Sequence, residues 1–218
     1  NAWFMYFGDH KFSEHWGIHL EAQLRRNEIV AKPQQLLLRT GINYHFAPNA
    51  FATVGYCYVN TSAYGVFPAK CAFPENRFWE QYQVNKKWND NKNTIIHRFR
   101  LEQRWVEQLA AEINATNYQN RFRYLNRNLF HILNFKSTNE ELYAILQNEV
   151  FLNAGDNKVN SKLIDQNRFL VGLGLNYNNN IRLELGYMNH FITSTSATNV
   201  MNHTISVSLL QNLDLQKH

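Results

Sequence analysis

Hydrophobic and polar residues alternate along most of this chain, and the clearest alternation runs from Thr94 to Glu107. One side of this segment, TIIHRFRLEQRWVE, carries apolar side chains, among them Phe99 and Leu101. The other side carries three guanidinium groups and a carboxylate: Arg98, Arg100, Glu102 and Arg104. A period of two residues is that of a β-strand, whose successive side chains point to opposite faces. The segment is therefore predicted to be a strand with one apolar and one charged face.

Ten other segments are predicted to be strands on the same grounds, and no helix is predicted. Most are about 10 to 14 residues long, whereas strands of water-soluble sheets average about 5–6 and membrane-crossing strands about 9–11. They are Trp3–Gly8, His15–Arg25, Gln35–Phe46, Phe51–Asn60, Phe78–Trp88, Arg121–His131, Leu142–Asn153, Gln166–Tyr177, Ile181–Phe191 and Met201–Leu210.

The connections between these segments alternate in length. Five are short: His10–Glu14, Ala47–Ala50, Asp90–Asn93, Asn134–Asn139 and Asn178–Asn180. Five are longer: Asn27–Gln34, Thr61–Glu75, Gln108–Asn117, Ala154–Asp165 and Thr193–Val200. Short turns at one rim and long loops at the other are typical of outer-membrane barrels. The pattern predicts an all-β fold, an antiparallel up-and-down transmembrane β-barrel of about 10–12 strands. A soluble lipocalin-like barrel or sandwich is the alternative.

The number of strands has two alternatives. Residues 1–218 are predicted to form a single barrel domain. If the short turns face the periplasm, the first segment begins on the extracellular side, and bacterial barrels of this kind have an even number of strands. We therefore expect either that residues 1–8 form a short segment at the rim or in the lumen, which leaves ten strands, or that the barrel has twelve.

Composition removes several other classes of protein. The net charge of +5 and the pI of about 9.2 come from basic residues spread singly along the chain, so nucleic-acid binding is not predicted. No apolar run of about 18 residues exists, so no transmembrane helix is predicted. A mean hydropathy of −0.47 suits a barrel in which every second residue meets lipid. Cys57 and Cys71 are either two unrelated thiols or a disulfide formed in an oxidising compartment.

The charged faces of the strands are predicted to meet in the lumen. The expected network comprises Arg39, Arg98, Arg100, Glu102, Arg104, Arg121, Arg123, Arg127, Glu149, Arg168, Arg182 and Glu184. Because a barrel of this size is mostly filled by side chains, ion pairs between arginine and carboxylate are expected to close it. The surplus of arginine favours an alternative, a narrow pore that prefers anions.

No catalytic, cofactor-binding or metal-binding residue is predicted. His190 with Ser194 or Ser196 is the one arrangement that suits a lipid-modifying enzyme of the outer leaflet, and polar loop residues are the alternative. The nine histidines show no metal-ligand spacing. Gly172 and Gly174 lie inside a strand, where they are expected to make room for a bulky side chain such as arginine.

The apolar wall is interrupted by Asn126, Asn148 and Asn189. A polar side chain in hydrocarbon is costly unless it finds a partner, so these three are expected to contact another protein. The predicted function is that of a non-enzymatic accessory subunit of a larger outer-membrane transport, secretion or assembly complex. Its expected surroundings are outer-membrane lipid and lipopolysaccharide.

Several short motifs carry a resemblance that extends over nearly the whole chain. They are His97–Arg104 (HRFRLEQR), Arg121–Tyr124 (RFRY), Asn148–Glu149, Asp165–Arg168 leading into Gly172–Gly174, and Leu183–Tyr187. With these motifs the chain resembles a Bacteroidetes-type outer-membrane family known as domain of unknown function 2490. The resemblance implies a barrel in the outer membrane and contributes no catalytic residues. The final segment, Leu209–Leu213, lacks the terminal aromatic residue of typical barrel-assembly signals.

Overall fold

A computed structural model of the chain describes residues 1–63, 71–110, 113–135, 140–155, 160–178, 180–194 and 198–216, without the side chains of 108–110 and 113–115. These residues form eleven β-strands and no helix. The strands are β1 (Ala2–Lys11), β2 (Trp16–Asn27), β3 (Lys32–Ala47), β4 (Ala50–Thr61), β5 (Phe73–Trp88), β6 (Asn93–Ala110), β7 (Ile113–Asn134), β8 (Glu141–Ala154), β9 (Ile164–Tyr177), β10 (Ile181–Ile192) and β11 (Val200–Gln211).

The eleven strands form one closed barrel in which each strand pairs antiparallel with the next. The barrel closes between β1 and β11, which run parallel, with Ala2 opposite Ile205 and Gly8 opposite Gln211. The predicted all-β barrel of 10–12 strands is thus confirmed, whereas the two even numbers that we considered within this range, ten and twelve, were wrong. Residues 2–8 belong to β1, a strand of the wall, and not to a rim or lumen segment. An odd number of strands makes the first and last run in the same direction, and their parallel ladder leaves no open sheet edge.

The two ends of the barrel differ in their connections. At one end, called the short-turn end here, the strands are joined by residues 12–15, 48–49, 89–92, 135–140 and 178–180. At the other, called the long-loop end, they are joined by residues 28–31, 62–72, 111–112, 155–163 and 193–199. The loop predicted over Gln108–Asn117 was wrong, because β6 and β7 continue pairing until Ala110 lies opposite Ile113. Their backbone groups bond to each other in this extension.

Burial alternates along the strands and shows which face points inward. Arg100 is 1% exposed, whereas its neighbour Leu101 is 38% exposed. Large apolar side chains such as Val54, Leu173 and Leu185 are more than half exposed on the outer face. The charged side chains therefore lie inside the barrel and the apolar ones outside, as the alternation predicts and opposite to the arrangement in a water-soluble sheet.

Two small apolar clusters lie in the interior. One consists of Trp3, Tyr143, Ile145, Leu170 and Met188, and the other of Leu37, Cys57, Val59 and Trp79. A Cβ atom added at Gly174 would lie 2.2 Å from the ring of Tyr143. The glycine thus makes room for a bulky side chain, as predicted, and this side chain is a tyrosine and not an arginine.

The two cysteines do not form a disulfide, and both thiols are free. Cys57 is buried inside the barrel, where it packs in the second cluster beside Val59 and Trp79. Cys71 is exposed and precedes the first residue of β5 by two positions. Of the two alternatives for these residues, the structure shows unrelated thiols, because one points into the lumen and the other into solvent.

Candidate functional site in the barrel interior

Glu102 of β6 lies at the centre of the interior and is fully buried. Its carboxylate is 3.1 Å from Arg39, 3.8 Å from Arg77, 2.6 Å from Arg121 and 2.7 Å from Arg123. The contact with Arg39 joins β3 to β6 across the lumen, since β4 and β5 stand between these strands in the wall. One carboxylate therefore holds four guanidinium groups from three different strands, β3, β5 and β7.

Glu149 of β8 forms a second cluster beside the first. It contacts Arg98 at 2.8 Å, Arg123 at 2.7 Å and Arg168 at 3.9 Å. Arg123 bonds to both Glu102 and Glu149, so the two clusters form one continuous network. Charge-assisted bonds of this kind are about twice as strong as neutral ones when they are shielded from water.

Further ion pairs extend the network towards both ends of the barrel. At the long-loop end Glu75 bonds to Arg77 at 2.6 Å and also to Arg104. At the short-turn end Arg127 contacts Glu184 at 2.6 Å, and the hydroxyl of Tyr143 donates to the same carboxylate at 2.7 Å. The network thus runs through much of the length of the lumen.

The structure places all twelve predicted lumen residues on the inner face, and ten of them make ion pairs within 4.0 Å. The other two differ. Arg100 bonds to Gln81 Oε1 at 2.6 Å and lies 4.7 Å from the ring centre of Trp79. Arg182 lines the interior beside Glu184 at the short-turn end.

The sequence prediction missed several members of the network. Glu75 and Arg77 were assigned to a loop and its flank, although they share the parity of Gln81, so the alternation could have been followed further back. Asp165 was placed in a loop as well, but it lies in β9 and contacts Arg121 at 3.1 Å. A register shift beside it, between Phe151 and Leu152, hides its orientation from a two-residue pattern.

Two cavities lie between the described residues of the interior. The larger, of about 290 Å³, opens towards the long-loop end, and the smaller, of about 180 Å³, lies towards the short-turn end. Both are lined by Trp3, Gln23, Arg123 and Arg168. A layer of side chains therefore stands between the two chambers.

Two of the residues considered for lipid chemistry, His190 and Ser194, are buried. His190 is 5% exposed and points into the barrel, where its Nε2 lies 3.0 Å from Gln166 Oε1. Ser194 is also buried, and Ser196 lies outside the described residues. His190 therefore lies on the inner face, and not on the outer face where the alternative of a lipid-modifying enzyme would need it.

Asn126, Asn148 and Asn189 all lie on the outer face and are partly exposed. They share one row of directly paired positions that crosses the wall from β6 to β11. We call this set the polar row: His97, Asn126, Asn148, Phe169, Asn189 and His203. Five of its six members are polar, in a wall that is otherwise mainly apolar.

The polar row climbs diagonally across the barrel. His97 is the fifth residue of β6 from the short-turn end, whereas His203 is the fourth of β11 from the long-loop end. Asn148 lies midway along β8 and exchanges bonds of 3.3 Å with Asn167. His97 Nδ1 lies 2.9 Å from the hydroxyl of Tyr124.

One charged side chain also lies on the outer face in the middle of a strand. Glu80 of β5 is exposed, and it accepts a hydrogen bond from Gln103 Nε2 at 3.1 Å. The sequence prediction did not single it out, although it interrupts the apolar positions Phe78 and Tyr82. A carboxylate at this position adds to the polar character of the β5–β9 side of the wall.

Within the described ranges, no group of three or more His, Cys, Asp and Glu side chains is arranged to hold a metal ion. No helix in the described part of the chain is long and apolar enough to span a membrane.

A single closed sheet with an apolar outer face and an interior filled by ion pairs defines a class, the small β-barrels with a charged, largely filled lumen. The chain belongs to a family described as proteins of unknown function, DUF2490, whose model matches residues 1–202. The family indicated by the sequence motifs, domain of unknown function 2490, is therefore confirmed. No curated protein and no solved structure matches the chain.

Proposed function

We propose that this chain is a non-enzymatic β-barrel of the bacterial outer membrane that serves as an accessory subunit beside a larger membrane protein. The distribution of side chains supports the location. An outer face that exposes Leu38, Ile42 and Val54 together with many other apolar residues is stable where it meets hydrocarbon. In water a continuous apolar surface of this size would lead to aggregation.

The filled interior supports a role other than transport. Glu102 and its four arginines join strands across the lumen, and each is nearly excluded from solvent. Opening a path for a solute would separate buried ion pairs, which costs several kcal/mol for each charge left alone. We therefore propose that the barrel does not conduct solutes through its lumen.

The polar row carries the proposal of a partner. An amide offers two donors and two acceptor lone pairs, and the bonds between Asn148 and Asn167 are long, at 3.3 Å. Side-chain amides that face hydrocarbon retain unused bonding capacity, which a second protein wall with polar side chains would satisfy. The partner that fits is thus another lipid-embedded protein with hydrogen-bonding residues on its outer surface.

Gentle detergent extraction followed by native mass analysis tests this proposal. We expect the wild-type chain to be recovered with a larger membrane protein, and the variant carrying Asn126→Leu, Asn148→Leu and Asn189→Leu to be recovered alone. The substitutions make the wall more apolar, so the barrel itself should still insert and fold. Thr40→Leu, an exposed polar-to-apolar change on the opposite side of the wall, is the matched control and should retain the partner. A wild-type chain that always migrates alone would contradict the proposal.

A narrow anion-preferring pore is the second candidate, because the described interior residues include eleven arginines and seven carboxylates. The surplus positive charge would favour anions in any water-filled path. Recording from planar bilayers distinguishes the two functions. We expect no steady current from the purified chain, whereas steady anion-selective currents would replace the accessory role with the pore.

A further inference from the structure

The larger cavity is strongly basic. Among the described residues that line it, seven are arginines and two are carboxylates. Its volume of about 290 Å³ corresponds to roughly ten water molecules at about 30 Å³ each, so it suits a small solute. Guanidinium groups gathered in a chamber with low-dielectric walls raise the local concentration of anions.

Arg168 of β9 is the arginine of this cavity whose donors are least used. Its guanidinium carbon lies 4.9 Å from the ring centre of Trp3 and 4.5 Å from that of Phe151. It donates to Gln166 at 3.1 Å, and its contact with Glu149 is long, at 3.9 Å. Its Nε is buried and has no hydrogen-bond partner among the described residues. Stacking on rings holds the faces of the guanidinium and leaves the Nε–H at its edge without an acceptor.

His190 of β10 lies directly opposite Arg168 in the ladder. Gln166 Oε1 accepts from Arg168, so this atom is the amide oxygen, and the Nε2 of His190 must donate to it. In the neutral ring Nδ1 is then an acceptor. Nδ1 is buried, and no donor for it is present in the described part of the chain. The site therefore offers an unused donor and an unused acceptor on neighbouring strands.

We propose that the larger cavity is a binding site for inorganic phosphate. A hydrogen phosphate ion supplies charged oxygens that accept from Arg168 and a P–OH group that donates to Nδ1 of His190. Sulfate has the same shape but carries no hydroxyl at neutral pH, so it satisfies the arginine and leaves the histidine acceptor unpaired. The proposal does not depend on the accessory role, because the cavity lies inside the barrel and the polar row outside.

Calorimetric titration of the purified full chain in detergent, at neutral pH and low salt, tests the site. We expect saturable binding of phosphate that is about tenfold or more tighter than that of sulfate, since a buried acceptor without a donor weakens binding by this order. Absence of saturable phosphate binding would overturn the proposal, as would equal affinities for the two ions. These measurements on the wild-type chain do not require any variant to fold.

Two variants and a control locate the site. Arg168→Gln should weaken phosphate binding by at least about tenfold, because a charge-assisted bond is lost. His190→Leu should remove the preference for phosphate over sulfate. Arg182→Gln makes the same change of charge in the smaller cavity and should leave the phosphate affinity unchanged. If Arg182→Gln weakens phosphate binding as much as Arg168→Gln does, the ion responds to the electrostatic potential of the whole interior. The assignment of the site to the larger cavity is then wrong.

Discussion

The inner and outer faces of the same strands differ in how their polar side chains are paired. Inside, charges are concentrated and shared, so that Glu102 alone bonds to arginines from β3, β5 and β7. Outside, most polar residues are neutral and several lie in one row across the wall, where Asn148 makes only long bonds to its neighbour Asn167. The interior set holds this chain together, whereas the outer set leaves bonding capacity unused.

This difference follows from what each face meets. A buried charge is tolerated only when opposite charges and hydrogen bonds surround it, and a closed barrel brings distant strands near enough to supply them. The outer face has no neighbour within the chain beyond the next strand. Any further hydrogen-bond partner for the polar groups of the outer face must come from another molecule.

The largest effect is expected from removing the charge at the centre of the network. Glu102→Gln leaves four buried guanidinium groups without their shared carboxylate, so the free energy of unfolding should fall by about 3–5 kcal/mol. Glu80→Gln makes the same change on the outer face and should alter the free energy of unfolding by less than about 1 kcal/mol. Urea unfolding of both variants in the same detergent measures the difference. Equal losses at the two positions would mean that the inner network does not stabilise the barrel.

A smaller contrast is expected between two buried arginines. Arg123→Met removes bonds to Glu102 and Glu149 and leaves both carboxylates with fewer partners. It should therefore lower the free energy of unfolding by about 3 kcal/mol. Arg100→Met removes a guanidinium that bonds to Gln81 and stacks on Trp79, without an ion pair within 4 Å among the described residues. Its cost should stay below about 1.5 kcal/mol, because an apolar side chain of similar length can replace it. The same unfolding measurement compares them, and a larger loss for Arg100→Met would contradict this reading of the network.

The two faces were also predictable to different degrees. A period of two residues assigns each side chain to a face, and this suffices to place Arg100 inside and Leu101 outside. It does not say which arginine meets which carboxylate. Arg39 and Glu102 are 63 positions apart in the chain, and their contact depends on the register of three intervening ladders, which no local pattern encodes.

The closure of the barrel was not predictable for the same reason. β1 and β11 pair with each other although they lie at opposite ends of the chain. The usual even number of strands led to the wrong expectation. The extension of β6 and β7 to Ala110 and Ile113 was missed because the apolar alternation weakens beyond Trp105 while backbone pairing continues. By contrast, Asn126, Asn148 and Asn189 were recognisable one at a time, but their common row depends on register.

The smallest effect on the barrel itself is expected at the outer face, from Asn148→Leu. The substitution removes bonds of 3.3 and 3.4 Å to Asn167 and to the backbone of Arg168, and it adds apolar surface to the face that we propose meets hydrocarbon. Interhelical hydrogen bonds in membranes average only about 0.6 kcal/mol. We therefore expect the free energy of unfolding of the isolated chain to change by less than about 1 kcal/mol. Val150→Leu, one outward position along β8, is the matched control. A loss as large as that of Glu102→Gln would show that the outer row is part of the internal scaffold, and the proposed role of Asn148 in binding a partner would then have to be given up.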